Sequence, residues 1–396
     1  MDCEIFAWGQ TTTTVGDQGQ RSNSALTAVQ FANHWLYTRD VEWLKSNYLF
    51  PREVIAFFAD YLTLEADGAK TANASFAPFV LKMMIFQDRL GTNIGKTHPK
   101  RGVFAGKYHS LNDCLNELCS GDLGDHAESM LRNDDPHQTI GLLRFLFPVV
   151  IEMAQTLGVD GDQLPNWRHI GANLAPYVDV AQPGNDTHGA RIYGRFRGAL
   201  HPPRPNTQLT FTASWPGYDP ELNSNKTLRK LDNTSALYMQ SFTCGNCFPL
   251  FPPGAVRAGV AVDATWQSTL HAIECGWQQN MLLRDGCNGM ATESIGGMAV
   301  ASEALLGQGQ HGWLALFPGL PLAQPAAFRN LRALGGLLVS ARRAASGEVS
   351  NVVVANDARD GAQQTVAMLS PWTGVQSPAS RPPSHTHTHT FMCLCS

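Results

Sequence analysis

The sequence predicts a mainly α-helical chain that ends in a small β-unit. Three observations carry this. Apolar residues recur at helical spacing through the first two-thirds of the chain. Beyond about residue 310 the pattern turns to short alternating runs broken by Gly and Pro. The composition, 43% hydrophobic and 16% charged, suits a packed core rather than a disordered chain.

The helices follow in order. Ser24 can cap a helix running to about Tyr37, with Leu26, Val29, Ala32 and Trp35 on one face. Asp40 caps the next, which opens Val41-Glu42-Trp43-Leu44. Pro51 sits where a first helical turn accepts proline, and Val54, Phe57, Phe58, Tyr61 and Leu62 give an apolar stripe. A further helix is expected from Phe76 to about Leu90, then a long loop over Gly91–Tyr108. A strong pattern covers Ile140–Leu157 and stops at Gly158, and a shorter helix covers Pro165–Leu174. Asn185–Pro205 reads as loop. Helices resume at Asp219–Met239, Ala264–Leu283 and Glu293–Leu306. Helix pairs joined by loops suggest antiparallel hairpins. Trp313–Phe317, Leu334–Ala341 and Val349–Ala355 read as strands, with a turn at Ser346-Gly347, as in a small β-sandwich. From about Ser377 the Pro-rich and His-Thr tail is low in complexity and is expected to be disordered.

The net charge of −4, with basic residues scattered, gives no basic face for a nucleic acid. No run of about 18 uncharged apolar residues predicts a membrane span, and Met1-Asp2-Cys3-Glu4 lacks the features of a signal peptide. Localisation stays open. Nine cysteines in so long a chain are not a small disulfide scaffold. Cys244-Gly-Asn-Cys247 has no second pair at metal spacing, so no metal site is expected. Asn-x-Ser/Thr sequons occur at Asn73, Asn185, Asn225 and Asn233. No phosphate-binding loop, dinucleotide fingerprint or nucleophile elbow is present.

Two blocks carry a resemblance. The first runs His34-Trp35-Leu36-Tyr37-Thr38-Arg39-Asp40, Trp43-Leu44, Tyr48 to Pro51, Ala56-Phe57-Phe58 and Tyr61-Leu62. It looks like a helix pair of α/α-barrel glycosidases. The second runs from Asn288 through Glu293, Gly296 and Gly297 to Ala301–Leu306, then Gly312–Pro318, Phe328–Ala333 and Gly335–Ala341. It is similar to the C-terminal part of family 95 glycoside hydrolases, where a glycine-rich active-site loop leads into a β-domain. Leu142–Pro148 and Leu157–Asp160 also resemble that family. The likeness covers about residues 20–355. It implies a mainly α fold, an (α/α)6 toroid of the six-hairpin glycosidase type, incomplete here, followed by a C-terminal β-sandwich. The expected units are 1–310, 311–370 and a tail at 371–396. Relatives begin with an N-terminal β-domain and the first barrel helices, so the N-terminal part is expected to be missing.

The resemblance implies hydrolysis of a terminal O-glycosidic bond, an α-L-fucoside or a galactoside, by inverting acid/base catalysis without a cofactor. Such chemistry needs one carboxyl protonated to serve the leaving oxygen and another to activate water. Glu128, in His126-Ala-Glu128-Ser129, is the candidate acid, with Glu117 and Asp125 as rivals. Glu293, in the glycine-rich block, is the candidate base. Family members carry an aspartate where Thr292 falls here, and the upstream asparagines that orient the water have no counterpart. His126, Trp215, Asn288 and Trp35 are candidate substrate-binding residues, Trp215 foremost because it lies in a Pro/Gly/Tyr loop. The helical tryptophans, and His34, read more naturally as core. The expected partner is an oligosaccharide, with neither nucleic acid nor membrane. The alternative is an inactive remnant that binds carbohydrate or a partner subunit.

Overall fold

The computed structural model describes residues 22–64, 79–80, 82–84, 132–134, 137–182, 190–194, 213–239, 251–276, 284–285, 289–290, 307–310, 313–362, 365–368 and 391–392. The helices are α1 (Ser22–Thr38), α2 (Val41–Asn47), α3 (Leu49–Tyr61), α4 (His137–Leu157), α5 (Leu164–Ala172), α6 (Lys226–Met239), α7 (Phe251–Arg257) and α8 (Val262–Gly276). A 3-10 turn covers Pro220–Asn223.

Helix α1 buries Ala25, Ala28, Val29, Ala32, Trp35 and Leu36, a stripe at spacings of three and four residues. Asp40 caps α2: its Oδ1 accepts the Trp43 amide at 2.9 Å. In α3, Pro51, Val54, Ile55 and Phe58 face inward. Helix α4 is buried on nearly every face, which makes it the post around which α1, α2, α3 and α5 pack. By length and composition alone α4 could cross a membrane, yet most of that stretch is buried inside the molecule, as in a core helix. Its end is fixed by Gly158 at φ +68°, with the Val159 amide bonded back to the Ala154 carbonyl at 3.0 Å. That is the left-handed cap that only glycine adopts without strain. Just beyond it, Asp160 accepts the Tyr48 hydroxyl at 2.8 Å and pairs with Arg52 at 3.1 Å, tying the α4–α5 turn to α3.

Three segments depart from the sequence expectation. The expected helix over Phe76–Leu90 is instead extended where described. Strands β1 (Thr63–Leu64) and β2 (Phe79–Val80) pair, as do β3 (Lys82–Met84) and β4 (Arg132–Asp134). The pairing that makes it extended is long-range, with Met83 opposite Asn133, and helical spacing within the segment does not encode it. The expected loop over Asn185–Pro205 contains β6 (Arg191–Tyr193), paired with β5 (Asp179–Ala181). The expected helix at Asp219 begins as the 3-10 turn, and α6 starts afresh after Asn225, whose Oδ1 accepts the Leu228 amide. Strands β7 (Arg284–Asp285) and β8 (Gly289–Met290) form a short pair. The proposed Gly91–Tyr108 loop and Glu293–Leu306 helix lie outside the described residues.

The C-terminal unit holds two sheets. Strands β9 (Gly307–Gln310) and β10 (Trp313–Leu316) are antiparallel. Strands β11 (Ala326–Ala333), β12 (Leu337–Arg343) and β13 (Val349–Asn356) form a meander. Strand β14 (Thr365–Met368) lies parallel to β10, and β15 (Phe391–Met392) pairs with β14, so these two tail residues are strand rather than disordered. The first sheet starts before residue 311, since β9 belongs to it. Leu314 and Met368 from one sheet pack with Ala333, Leu337 and Val339 from the other. Residues alternate inward and outward along β12. Its last residue, Arg343, is buried and donates to the carbonyls of Leu320, Pro321 and Gln324.

The two units meet at the end of α1. The Gly335 amide donates to Leu36 O at 2.8 Å, Arg332 to Tyr37 O at 3.3 Å, and the Arg359 amide to Thr38 O at 3.2 Å. Gly336, at φ +73°, has no room for a side chain: an added Cβ would lie 2.6 Å from the Ala358 Cα. Gly336→Ala should therefore destabilise the protein by roughly 1–3 kcal/mol. The expected outcome is a lower urea midpoint at unchanged slope; equal midpoints would refute it.

Candidate functional site

The described residues bring one dense group of charged and aromatic side chains together where α4, α6 and α7 meet the segment Ala213–Asn225. That segment is rich in Pro and Gly and is pinned rather than loose. The Asp219 amide donates to Ala213 O at 2.8 Å. Arg257 of α7 donates to Ser214 O at 2.9 Å and Gly217 O at 3.2 Å. Its guanidinium also lies 4.6 Å from the Trp215 ring centre and 5.5 Å from that of Tyr218, within cation–π reach.

Asp219 is the hub. Its Oδ1 accepts the Glu221 amide at 2.9 Å, capping the 3-10 turn, and its Oδ2 accepts the Tyr177 hydroxyl at 2.9 Å. Arg144 of α4 lies 3.7 Å from Asp219 Oδ2 and 3.9 Å from Glu221 Oε1. The other end of that guanidinium donates to the carbonyls of Leu174 and Ala175, and it stacks 5.0 Å from the Tyr177 ring. Arg144 is thus held from behind while it faces two carboxylates. Their exposures differ sharply: the Asp219 side chain is 2% exposed, that of Glu221 57%. Of the two, Glu221 is the carboxylate that a ligand from solvent can reach.

Deeper lies Asp232 of α6. It is 1% exposed, and the Ser214 hydroxyl donates to its Oδ2. Burial pushes its carboxyl up to about 7, and the negative charge of Asp219 adds to the rise. Ser214 and Tyr193 oppose it by favouring the anion. The Tyr193 hydroxyl is near the carboxyl but makes no hydrogen bond of ordinary geometry. Tyr177 and Tyr193 are themselves raised well above the usual tyrosine value, first by burial. His137 closes the group, its ring 4.1 Å from Tyr193 and 4.7 Å from Tyr177.

Of the residues singled out from sequence, Trp215 belongs to this group and is half-buried beside Arg257. Trp35 does not: at 1% exposure it is part of the core, its Nε1–H donating to Glu152 at 3.2 Å, so it offers no face to a sugar. The helical stripe that placed Trp35 on α1 is the stripe that buries it. His34, read as a core histidine, is exposed and stacks on Trp43 at 3.9 Å. Glu128, His126, Asn288 and Glu293 lie outside the described residues, as do Glu117, Asp125, Cys244 and Cys247. Sequence reading did not find Arg144, Tyr177, Asp219, Glu221 or Asp232. The available signal was local: two acids follow Trp215 within the same Pro/Gly/Tyr loop. Among the described residues no group of three or more His, Cys, Asp or Glu is placed to hold a metal.

No protein-family model matches this chain, and neither does any curated protein.

Tyr177 is buried, and its hydroxyl supports Asp219. Tyr177→Phe removes that donor without changing the ring, so stability should fall by about 1.5–3 kcal/mol. Chemical denaturation of the two proteins checks this; a difference within error would mean Asp219 finds another donor.

Proposed function

We propose that the chain is a glycoside hydrolase that cleaves a terminal O-glycosidic bond, an α-L-fucoside first and a galactoside second, by inverting acid/base catalysis. The observation that carries the proposal is the Trp215–Glu221 segment. It sets an aromatic ring and an exposed carboxylate on one short stretch and locks both from behind with arginines. Aromatic faces stack on sugar rings, and a carboxyl within reach can protonate a leaving oxygen. The resemblance of the helix-pair and C-terminal blocks to family 95 enzymes supports the same reading, including the (α/α)6 toroid with a C-terminal β-sandwich.

In this proposal Glu221 lies beside the scissile bond as general acid. A second carboxylate on the opposite face activates water, at a separation of about 6.5–9.5 Å. Glu293 is the proposed base, with Asn288 and Trp215 against the sugar. Glu128, beside His126, is the rival acid. Arg144 holds the Asp219 turn and hence the backbone of Glu221. No cofactor enters the chemistry.

Release of free sugar from a panel of fucosylated and galactosylated oligosaccharides tests this. Wild type should release sugar. Glu221→Gln should lower kcat roughly 100- to 10,000-fold with the thermal midpoint unchanged. Trp215→Ala should raise KM more than it lowers kcat. Full activity in Glu221→Gln with loss in Glu128→Gln would move the acid to Glu128. A folded wild type that releases nothing would sink the hydrolase reading and favour a carbohydrate-binding remnant.

A further inference from the structure

Asp232 touches no substrate in the proposed chemistry, yet it is wired to the segment that carries that chemistry. Ser214 stands one residue before Trp215 and is held at both ends. Its backbone carbonyl accepts from Arg257, and its hydroxyl donates to Asp232. The charged and titratable groups around Asp232 come from every neighbouring element. Tyr193 lies on β6, and Asp219 and Tyr218 on the segment itself. Tyr177 follows α5, and His137 and Arg144 lie on α4. Arg257 on α7 and Arg229 on α6 complete the surroundings. Arg144 turns to Asp219 and two carbonyls, and Arg257 to the carbonyls of Ser214 and Gly217. Among the described residues no cation pairs with Asp232. A carboxylate there would be enclosed and close to a second negative charge, with Oδ1 unpartnered. The hydrogen bond from Ser214 offsets only part of that cost, so relief requires the segment over it to open to water. A neutral carboxyl there accepts from Ser214 and carries no such cost.

We infer that Asp232 is a positioning residue that holds Ser214, and through it the Trp215–Glu221 segment, as the uncharged acid, and that its ionisation loosens the segment. The consequence for catalysis rests on the hydrolase reading above; the positioning itself does not. The sign of the pH dependence follows. The unfolded chain gives up this proton near the ordinary 3.8, while the folded chain keeps it to about 7. Over that interval the folded state binds more protons, so this group's stabilising contribution is complete at the acid end and is lost as pH rises.

The experiment compares wild type, Asp232→Asn and Ser214→Ala without substrate. The amide of Asp232→Asn mimics the neutral acid at every pH. The thermal midpoint of wild type should fall relative to Asp232→Asn between about pH 4 and about pH 7 and run parallel above that. The infrared band of a protonated carboxyl should be present in wild type at about pH 6 and absent from Asp232→Asn. Hydrogen-exchange protection of amides 213–222 should drop in wild type at about pH 8, by roughly tenfold against Asp232→Asn. Ser214→Ala, which breaks the link, should show low protection at either pH. Parallel midpoints throughout, a missing infrared band, or equal protection in all three proteins would each overturn the inference. Because no readout involves a sugar, failure here is separate from failure of the hydrolase reading, which shows as a folded wild type releasing nothing.

Discussion

The end of α1 is the constraint on which the rest depends. A helix leaves its last carbonyls without partners inside the helix. Arg39, at φ +53°, turns the chain away and returns its amide to Trp35 O at 2.8 Å. The next three carbonyls, of Leu36, Tyr37 and Thr38, are taken by Gly335, Arg332 and Arg359. The β-unit therefore acts as the C-terminal cap of the first helix. Arg332 and Arg359 are steadied in turn by Asp357 and by Asp40, the residue that caps α2. A single five-residue stretch, Leu36–Asp40, thus ends one helix, starts the next and docks the sheets. Exposed ion pairs add little by themselves. The buried carbonyls give this joint its direction, because leaving them unpaired would be costly.

From that joint the order passes inward. Helix α1 packs on α4, and α4 carries Arg144 into the polar group. An arginine at 15% side-chain exposure is expensive unless its donors are used, and Arg144 directs one nitrogen to Leu174 O and Ala175 O and another toward Asp219, while its Nε has no partner. Replacing such a cluster with apolar residues could be neutral for stability, but it would not fix where Glu221 sits. Geometry, more than energy, is what the charges supply. They set a short segment of irregular backbone against three helices in one arrangement.

Local chemistry was legible in the sequence and long-range partnership was not. Asp40 as a cap, Gly158 as a stop and the turn at Ser346-Gly347 depend on neighbours within a few residues, and each stands as read. The helix expected over Phe76–Leu90 gives way to strands whose partners, in β3 and β4, lie far apart in the chain. Strand β6 carried too short an alternation to be seen, and it exists by pairing with β5 ten residues away and packing on α6. In the candidate site, Trp215 was visible as a loop aromatic. Glu221 was not, because what marks it is Arg144, 77 positions upstream and on another helix. No pattern of period two or 3.6 encodes that meeting.

Asp219 and Asp232 show how far environment outweighs residue type. They are thirteen positions apart, both almost fully enclosed, and chemically the same. Asp219 faces an arginine, a tyrosine hydroxyl and a backbone amide. Asp232 is pushed up first by burial and then by the negative charge of Asp219, against the Ser214 hydroxyl, which favours the anion. The negative charge of the first therefore adds to what raises the second. Arg144 ties Asp219 to the exposed Glu221, and its positive charge offsets part of the negative charge that Asp219 presents to Asp232. A change at Arg144 would reach the exposed carboxylate and the hidden one together, so the two cannot be adjusted independently from that position.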